Sequence, residues 1–278
     1  MILPPQRSIR IVRSDPDGPD RSAWISGVGS RDWSVGAEVL KRSDSASVIR
    51  AMVHSKDVVL KSRVIPGLKG VIQGVFGFSR AERQWRGCEW LASKGIGAPR
   101  CLAIMTGKRD GVRIETLVLE YVPGHTLLWQ IARGVISVDP TSPASRAIAY
   151  AVGNDIARLV KAERFNRDHK PSNIIVERTG PPSAALAIVD AVAIVPFKPA
   201  KRTEAMARML ASLLIEPRGI GHPVPDAFMS RVVDALAHEV VGAAEAETWA
   251  RDMHAWATRL VAAHKDPVPT DDPLIGLH

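Results

Sequence analysis

The sequence predicts an α+β fold in which a small antiparallel sheet carrying one helix precedes a larger, mostly helical lobe. Three observations carry that prediction. Short apolar pieces separated by polar turns fill residues 37–63 and return at 116–122. One amphipathic helical pattern, 79–94, stands between them. From residue 142 onward the periodicity is helical, broken by a polar loop and a hairpin over 164–190. The expected boundaries are an N-terminal arm (1–22), a sheet lobe (23–121) and a helical lobe (122–278).

Taken in order, residues 1–22 mix Pro, Asp, Arg and Gly around Asp15-Pro16-Asp17-Gly18-Pro19 and read as a loose arm. Residues 37–41, 48–52 and 58–61 form a meander whose first turn, Lys41 to Ser47, contains no glycine. In 66–79, Leu68, Val71, Ile72, Val75 and Phe76 recur at helical spacing opposite four glycines. Such a stripe either packs on its own lobe or serves as an apolar flap toward lipid. In 79–94, Ala81, Gln84, Trp85, Cys88 and Leu91 share a face, with Gln84 at its centre. Glu82, Arg86 and Glu89 fall on the other side, where they either form a solvated ion-pair ladder or send Glu82 or Glu89 in from the margin toward Lys61. Ser142-Pro143 caps a helix whose stripe runs through Ile148, Val152, Ile156 and Leu159. Residues 173–177 and 184–189 are strands joined by Gly180-Pro181-Pro182, with Asp190 at the exit of the hairpin. Helical patterns at 203–215, 226–241 and 245–264 complete the chain.

Composition narrows the function. With 278 residues, 46% of them hydrophobic, the chain builds an ample core. No apolar run reaches the length of a bilayer span, and the N-terminus lacks the apolar centre of a signal peptide. A cytoplasmic protein is expected. Cys88 and Cys101 offer no disulfide framework, and the eight histidines have no paired ligand spacing, which argues against a zinc enzyme. A net charge of +8 and a pI near 9.8 favour anionic partners. With aromatics at 5% and scattered, a stacking surface for nucleic acid is not expected.

The run from Arg164 to Val176, RFNRDHKPSNIIV, carries the chemistry. An Asp, a Lys two residues later and an Asn five residues later, entering a strand, form the loop that protein kinases write H-R-D-L-x-x-x-N. There the Asp orients and deprotonates the attacking hydroxyl, the Lys accompanies the transferring phosphoryl group, and the Asn holds a metal ion. Asp168, Lys170 and Asn173 keep that spacing, while Asn166 replaces the His and His169 the Leu. Asp190 stands where the hairpin delivers the metal-binding Asp of D-F-G, and Lys61 ends a strand as does the Lys of V-A-I-K. Four parts in chain order point to a two-lobed protein-kinase-like fold.

The segments Ala81-Glu82-Arg83-Gln84-Trp85-Arg86, Gly95-Ile96-Gly97-Ala98-Pro99 and Glu120-Tyr121-Val122-Pro123-Gly124 refine the match. Asp190 is followed closely by Lys198-Pro199-Ala200-Lys201-Arg202, with no A-P-E motif and no room for a long activation segment. Over residues 37–215 the chain resembles the lipopolysaccharide core kinase family of Kdo/WaaP type. The resemblance implies a cytosolic, membrane-associated enzyme that uses ATP and Mg2+ to phosphorylate a sugar hydroxyl, of Kdo or heptose, on an anionic or lipid-linked acceptor. It assigns catalysis to Asp168 and Lys170, and metal binding to Asn173 and Asp190. Nucleotide contacts fall to Lys61, Ser43, Ser45, Ser47, Gln84, Ile175 and the backbones of Glu120 and Val122. Lys198, Lys201 and Arg202 either bind acceptor phosphates or form a solvated basic run. Two departures stand out: Gln84 where relatives place Glu, and no glycines in the nucleotide loop. The alternatives are an aminoglycoside-type small-molecule phosphotransferase, a protein Ser/Thr kinase and a non-catalytic pseudokinase.

Overall fold

The computed structural model describes residues 8–30, 32–65, 79–136, 139–177 and 184–264. The apolar stripe read at 66–79 lies outside them but for its last residue, as does the turn at 178–183. The chain divides into two compact units, Met1–Trp90 with Pro99–Val122, and Leu91–Ala98 with Pro123–His278.

The first unit contains β1 (Arg10–Ser14), α1 (Arg21–Ser30), β2 (Glu38–Arg42), β3 (Ala46–Val53), β4 (Lys56–Ile65), most of α2 (Arg80–Ser93), β5 (Cys101–Arg109) and β6 (Val112–Glu120). The six strands make one sheet in the order β1-β5-β6-β4-β3-β2, with every neighbouring pair antiparallel. Two tight hairpin turns use left-handed residues, His54-Ser55 at φ 50° and 60° and Asp110-Gly111 at φ 50° and 76°. Both match the strand twist as primed turns do. Alternation along β3 and β4 sends Ile49, Ala51, Val53, Val58 and Leu60 to one face, where they form a core with Trp24 and Val28 of α1 and with Trp33.

Of the expected arm over 1–22, residues 10–22 are therefore not loose. Ile9 is buried and Ile11 packs against the same core, so burial holds β1 as an edge strand. Between β1 and α1 the Pro- and Gly-rich stretch is an ordered turn. Asp15 accepts the Asp17 N–H at 3.2 Å and the Gly18 N–H at 3.1 Å, and Arg100 binds its carboxylate at 2.5 Å.

Helix α2 starts where the sequence placed it. The Ser79 hydroxyl accepts the Glu82 N–H at 3.1 Å. The buried Glu115 of β6 accepts the Ala81 N–H at 3.3 Å and Arg63 Nε at 3.0 Å. Two of the helix's initial donors are thus satisfied.

The second unit holds β7 (His125–Thr126), α3 (Leu127–Ala132), α4 (Pro143–Lys161), β8 (Arg164–Asn166), β9 (Ile174–Val176), β10 (Leu186–Ile188), β11 (Ile194–Pro196), α5 (Arg202–Gly219), α6 (Asp226–Val240) and α7 (Ala246–Ala263). Two small sheets, β10-β9-β7 and β11-β8, frame the polar loop. The Ser142 hydroxyl caps α4 by accepting the Ser145 N–H at 3.2 Å. Ile148, Val152, Ile156 and Leu159 of α4 are buried, as are Phe228, Val232 and Leu236 of α6 and Met206, Leu210 and Leu213 of α5. Each such side chain contributes about 1.5–3 kcal/mol by burial, enough to hold α4 firmly beneath the loop that follows it. A Cβ on Gly153 would lie 2.4 Å from the Val232 carbonyl oxygen, so α4 and α6 pack too closely there for any side chain. Among the described residues no helix is long and apolar enough to cross a membrane.

Candidate active site

The polar loop emerges from β8 with its backbone already tied down. Asn166 pairs with Ile194 of β11, and the Arg167 N–H donates to the Ala193 carbonyl at 3.1 Å. The buried Asn166 side chain accepts the Asp168 N–H at 3.0 Å. An amide at the position of the kinase His thus does local work, turning the chain so that the Asp168 carboxyl emerges half-exposed. His169 points the other way and is fully buried; desolvation lowers its pKa to about 4, so it is neutral near pH 7.

Asp168, Lys170 and Asn173 meet. Asn173 Nδ2 donates to Asp168 Oδ2 and to the Asp168 carbonyl, both at 3.0 Å. Lys170 Nζ stands 3.7 Å from Asp168 Oδ1. A short 3-10 turn over Pro171–Asn173, in which the Asn173 N–H donates to the Lys170 carbonyl at 2.9 Å, sets this spacing. One carboxylate oxygen is therefore fixed by an amide, and the other faces a cation and solvent. That is an acceptor for a proton beside a positive charge.

Asn173 is also linked to the hairpin that carries Asp190. Its carbonyl accepts the Val189 N–H at 2.9 Å, and Ile174 pairs with Ile188. Asp190 is thereby delivered one residue beyond the contact with Asn173. With Asn173 Nδ2 committed to Asp168, its amide oxygen is the atom left for a ligand. An amide oxygen and a carboxylate are hard donors suited to Mg2+. Among the described residues no group of three or more His, Cys, Asp or Glu could hold a metal by itself.

Two glycines read from the sequence have steric reasons in this unit. A Cβ on Gly97 would lie 1.9 Å from the Leu186 carbonyl oxygen, and one on Gly124 would lie 2.2 Å from that of Val176. Both segments press backbone against the hairpin, and the Gly97 carbonyl accepts the Ile188 N–H at 2.8 Å. Ile175 sits on the central strand β9, paired with Ala187 and Thr126.

Lys61 belongs to the first unit, on β4 between Val48 and Leu117. Gln84 occupies the buried face of α2, as the helix phase predicts. Glu82 and Glu89 do not form a solvated ladder with Arg86. Arg13, from β1, reaches Glu89 at 2.6 Å and Glu82 at 3.6 Å and lies 4.4 Å over the Trp85 ring. Trp85 Nε1 also donates to Glu89 at 2.6 Å. Sequence reading missed Arg13 because the edge strand that supplies it went unrecognised.

In the glycine-free turn, the Ser43 hydroxyl accepts the Ala46 N–H at 3.1 Å, while Ser45 is exposed at the tip. Ser47 is not part of that turn. It lies in β3 opposite Ser62 and is 2% exposed, which leaves its hydroxyl out of reach of a nucleotide. At the other end of the sheet, the Glu120 N–H donates to the Arg100 carbonyl at 2.9 Å and the Tyr121 N–H to Asp57 at 3.0 Å. Arg50, paired with Asp57 at 2.8 Å, stacks 3.6 Å over the Tyr121 ring and fixes the segment leading to Val122.

Lys198, Lys201 and Arg202 lie at the entrance to α5. Lys201 binds Glu204 at 2.8 Å, and Glu204 also binds Arg208 at 2.7 Å. The Lys201 hydrogen bond holds the Glu204 carboxyl below its ordinary pKa. Lys201 is thus engaged with the first turn of α5, whereas Lys198 is exposed.

No family model matches the chain, and no curated protein does. Among solved structures 1744 chains match, the breadth of a widely used fold. One of them, described as "WaaP in complex with acyl carrier protein", aligns at a TM-score of 0.55 and 14% identity over 81% of this chain and 88% of that one. At that identity the likeness establishes architecture, and the chain has a two-lobed kinase-like fold.

Proposed function

We propose that this protein is a kinase-type phosphotransferase that moves the γ-phosphoryl group of ATP to a sugar hydroxyl, on a Kdo- or heptose-bearing acceptor of lipopolysaccharide-core type. The supporting observation is the Asp168–Lys170–Asn173 arrangement, a half-exposed carboxylate with one oxygen held by an amide and the other beside a cation. Asp168 takes the hydroxyl proton, and Lys170 offsets charge on the phosphoryl oxygens. Mg2+, held by Asn173 Oδ1 and Asp190 together with the nucleotide, would supply charge neutralisation at the phosphates. Lys61 would contribute a cation to the nucleotide, with Gln84 in place of the usual Glu. Glu120 and Val122 would present backbone to the adenine edge, and Ile175 an apolar side chain to the base. Ser43 and Ser45 would lie along the phosphates.

The acceptor class rests on the resemblance over residues 37–215, on the short segment after Asp190 and on the net charge of +8, which favours an anionic acceptor. A cytoplasmic enzyme in peripheral contact with the inner membrane suits that acceptor. Incubation with ATP and Mg2+ tests the reading against a Kdo- or heptose-bearing saccharide, an aminoglycoside and a protein acceptor. ATP consumption with the saccharide, falling as salt rises, supports it. Consumption only with an aminoglycoside or a protein replaces the acceptor class, and none with any acceptor retires the enzyme.

A further inference from the structure

The polar loop has an anchor that its own sequence does not announce. Ser172 lies between Pro171 and Asn173 in the 3-10 turn. Its N–H donates to Glu216 Oε2 at 2.9 Å and its hydroxyl to Glu216 Oε1 at 2.7 Å. One carboxylate thus takes both donors of a single residue. Glu216 sits in the last turns of α5, where the helix dipole disfavours a negative charge. The two donors of Ser172 compensate for that placement. Buried Met206, Met209, Leu210 and Leu213 hold α5 in the core, so the carboxylate is presented from a rigid element.

The clamp adjoins the atoms that matter. Ser172 is bonded to Asn173, whose Nδ2 fixes Asp168 Oδ2 and whose carbonyl meets Val189 just before Asp190. The start of the loop is tied through Asn166 to β11, and its end is tied through Ser172 to α5. We infer that Glu216 is a positioning residue which, by gripping Ser172 at both donors, sets the placement of Asp168 and Asn173 for phosphoryl transfer. This rests on the phosphotransfer reading above. Glu216 touches neither reactant, and its hydrogen bonds, rather than its charge acting at a distance, carry the effect.

Three variants separate these roles when ATP consumption is followed with a Kdo-bearing saccharide. Glu216→Leu keeps the volume and removes both acceptors. Its kcat should fall about tenfold to a hundredfold, the cost of misplacing a reacting group by about an ångström. Its KM for ATP should stay within about twofold, since nucleotide binding is not what was removed. Glu216→Gln can keep both bonds, its carbonyl accepting the Ser172 N–H while its NH2 donates to a hydroxyl that now accepts. It should retain kcat within about threefold, because neutral hydrogen bonds are weaker but similarly placed. Ser172→Ala, which loses the hydroxyl bond alone, should fall between the two.

A second readout is independent of turnover. In Glu216→Leu the amides of Ser172 and Asn173 should exchange with solvent at least about tenfold faster while the helical core stays protected. A Glu216→Leu variant with native kcat, a Gln variant as impaired as Leu, or unchanged exchange at Ser172 would each overturn the inference. If Glu216→Leu does not fold, Ser172→Ala decides: native kcat there overturns the inference. Asp168→Asn run in parallel separates the two readings. Its retention of turnover defeats the phosphotransfer assignment, whereas an inactive Asp168→Asn beside an active Glu216→Leu defeats the clamp alone.

Discussion

The side-chain amide of Asn173 holds Asp168 at two points, the carboxylate oxygen Oδ2 and the backbone carbonyl, each at 3.0 Å. A five-residue separation in sequence thereby becomes a fixed contact in space. Asn173→Ala should release the Asp168 side chain at a cost of about 1–2 kcal/mol, the loss of one charge-assisted and one neutral hydrogen bond. Asn173→Asp should be worse, because it sets a second carboxylate about 3 Å from the first. Thermal melts of the two variants beside the native chain rank them, and native stability in Asn173→Ala would show that the Asn173 amide does not secure the loop.

Nucleotide binding separates the phosphate and metal roles from the proton-accepting role. Lys61→Ala and Asp190→Ala should each reduce the rise in Tm that Mg-ATP gives the native chain, since stabilisation by a ligand follows its affinity for the folded state. An undiminished shift in both variants would remove these residues from the nucleotide site.

Arg13 ties β1 to α2 through Glu82, Glu89 and the Trp85 ring. With the guanidinium about a third exposed, solvent screens the ion pairs, and Arg13→Ala should cost about 1 kcal/mol in all. Chemical denaturation checks this. A loss within error of zero would mean that pairing with β5 and burial of Ile9 and Ile11 hold the edge strand without Arg13.

Two buried groups make opposite contributions to stability as pH changes. His169, lowered to about 4 by burial, stays neutral in the folded chain while its unfolded counterpart protonates below about 6.5. Its contribution to stability is therefore lost as pH falls from about 6.5 to about 4. Asp155, raised to about 7 by burial against a smaller opposing effect of Arg158, keeps its proton in the folded chain. Its contribution is complete below the unfolded carboxyl value near 4 and is lost as pH rises through about 7. Between about pH 4 and 6.5 the two slopes, each near 1.4 kcal/mol per pH unit, largely cancel. His169→Gln should expose a stability that declines with rising pH across this window, and Asp155→Asn one that increases. Urea denaturation at half-unit pH steps reads both, and matching profiles for the two variants would contradict the assignment.

The parts of the site legible in the sequence are those whose residue type and spacing chemistry dictates. Asp168, Lys170 and Asn173 meet as their spacing implies, and Gln84 is buried as the helix phase implies. Elements held by distant partners were not legible. Helix α1 shows two buried anchors, Trp24 and Val28, in a Gly- and Ser-rich run of ten residues, too few for a periodic signal. Strands β8 and β11 have three residues each and are defined by each other. Ser47 was misplaced because β3 begins at Ala46, and the strand's alternation then turns that serine inward. Nothing in either local sequence signals that Glu216 meets Ser172, 44 residues away.

The proposed role of Asp168 as proton acceptor in a phosphoryl transfer from ATP to a sugar is tested by following γ-labelled ATP with a Kdo- or heptose-bearing saccharide, comparing the native chain with Asp168→Asn at matched Tm. The native chain should place label on the saccharide. Asp168→Asn should bind Mg-ATP with similar affinity and transfer label about a hundredfold to ten thousandfold more slowly. Transfer at near-native rate by Asp168→Asn, or no labelled saccharide from the native chain, would rule that role out.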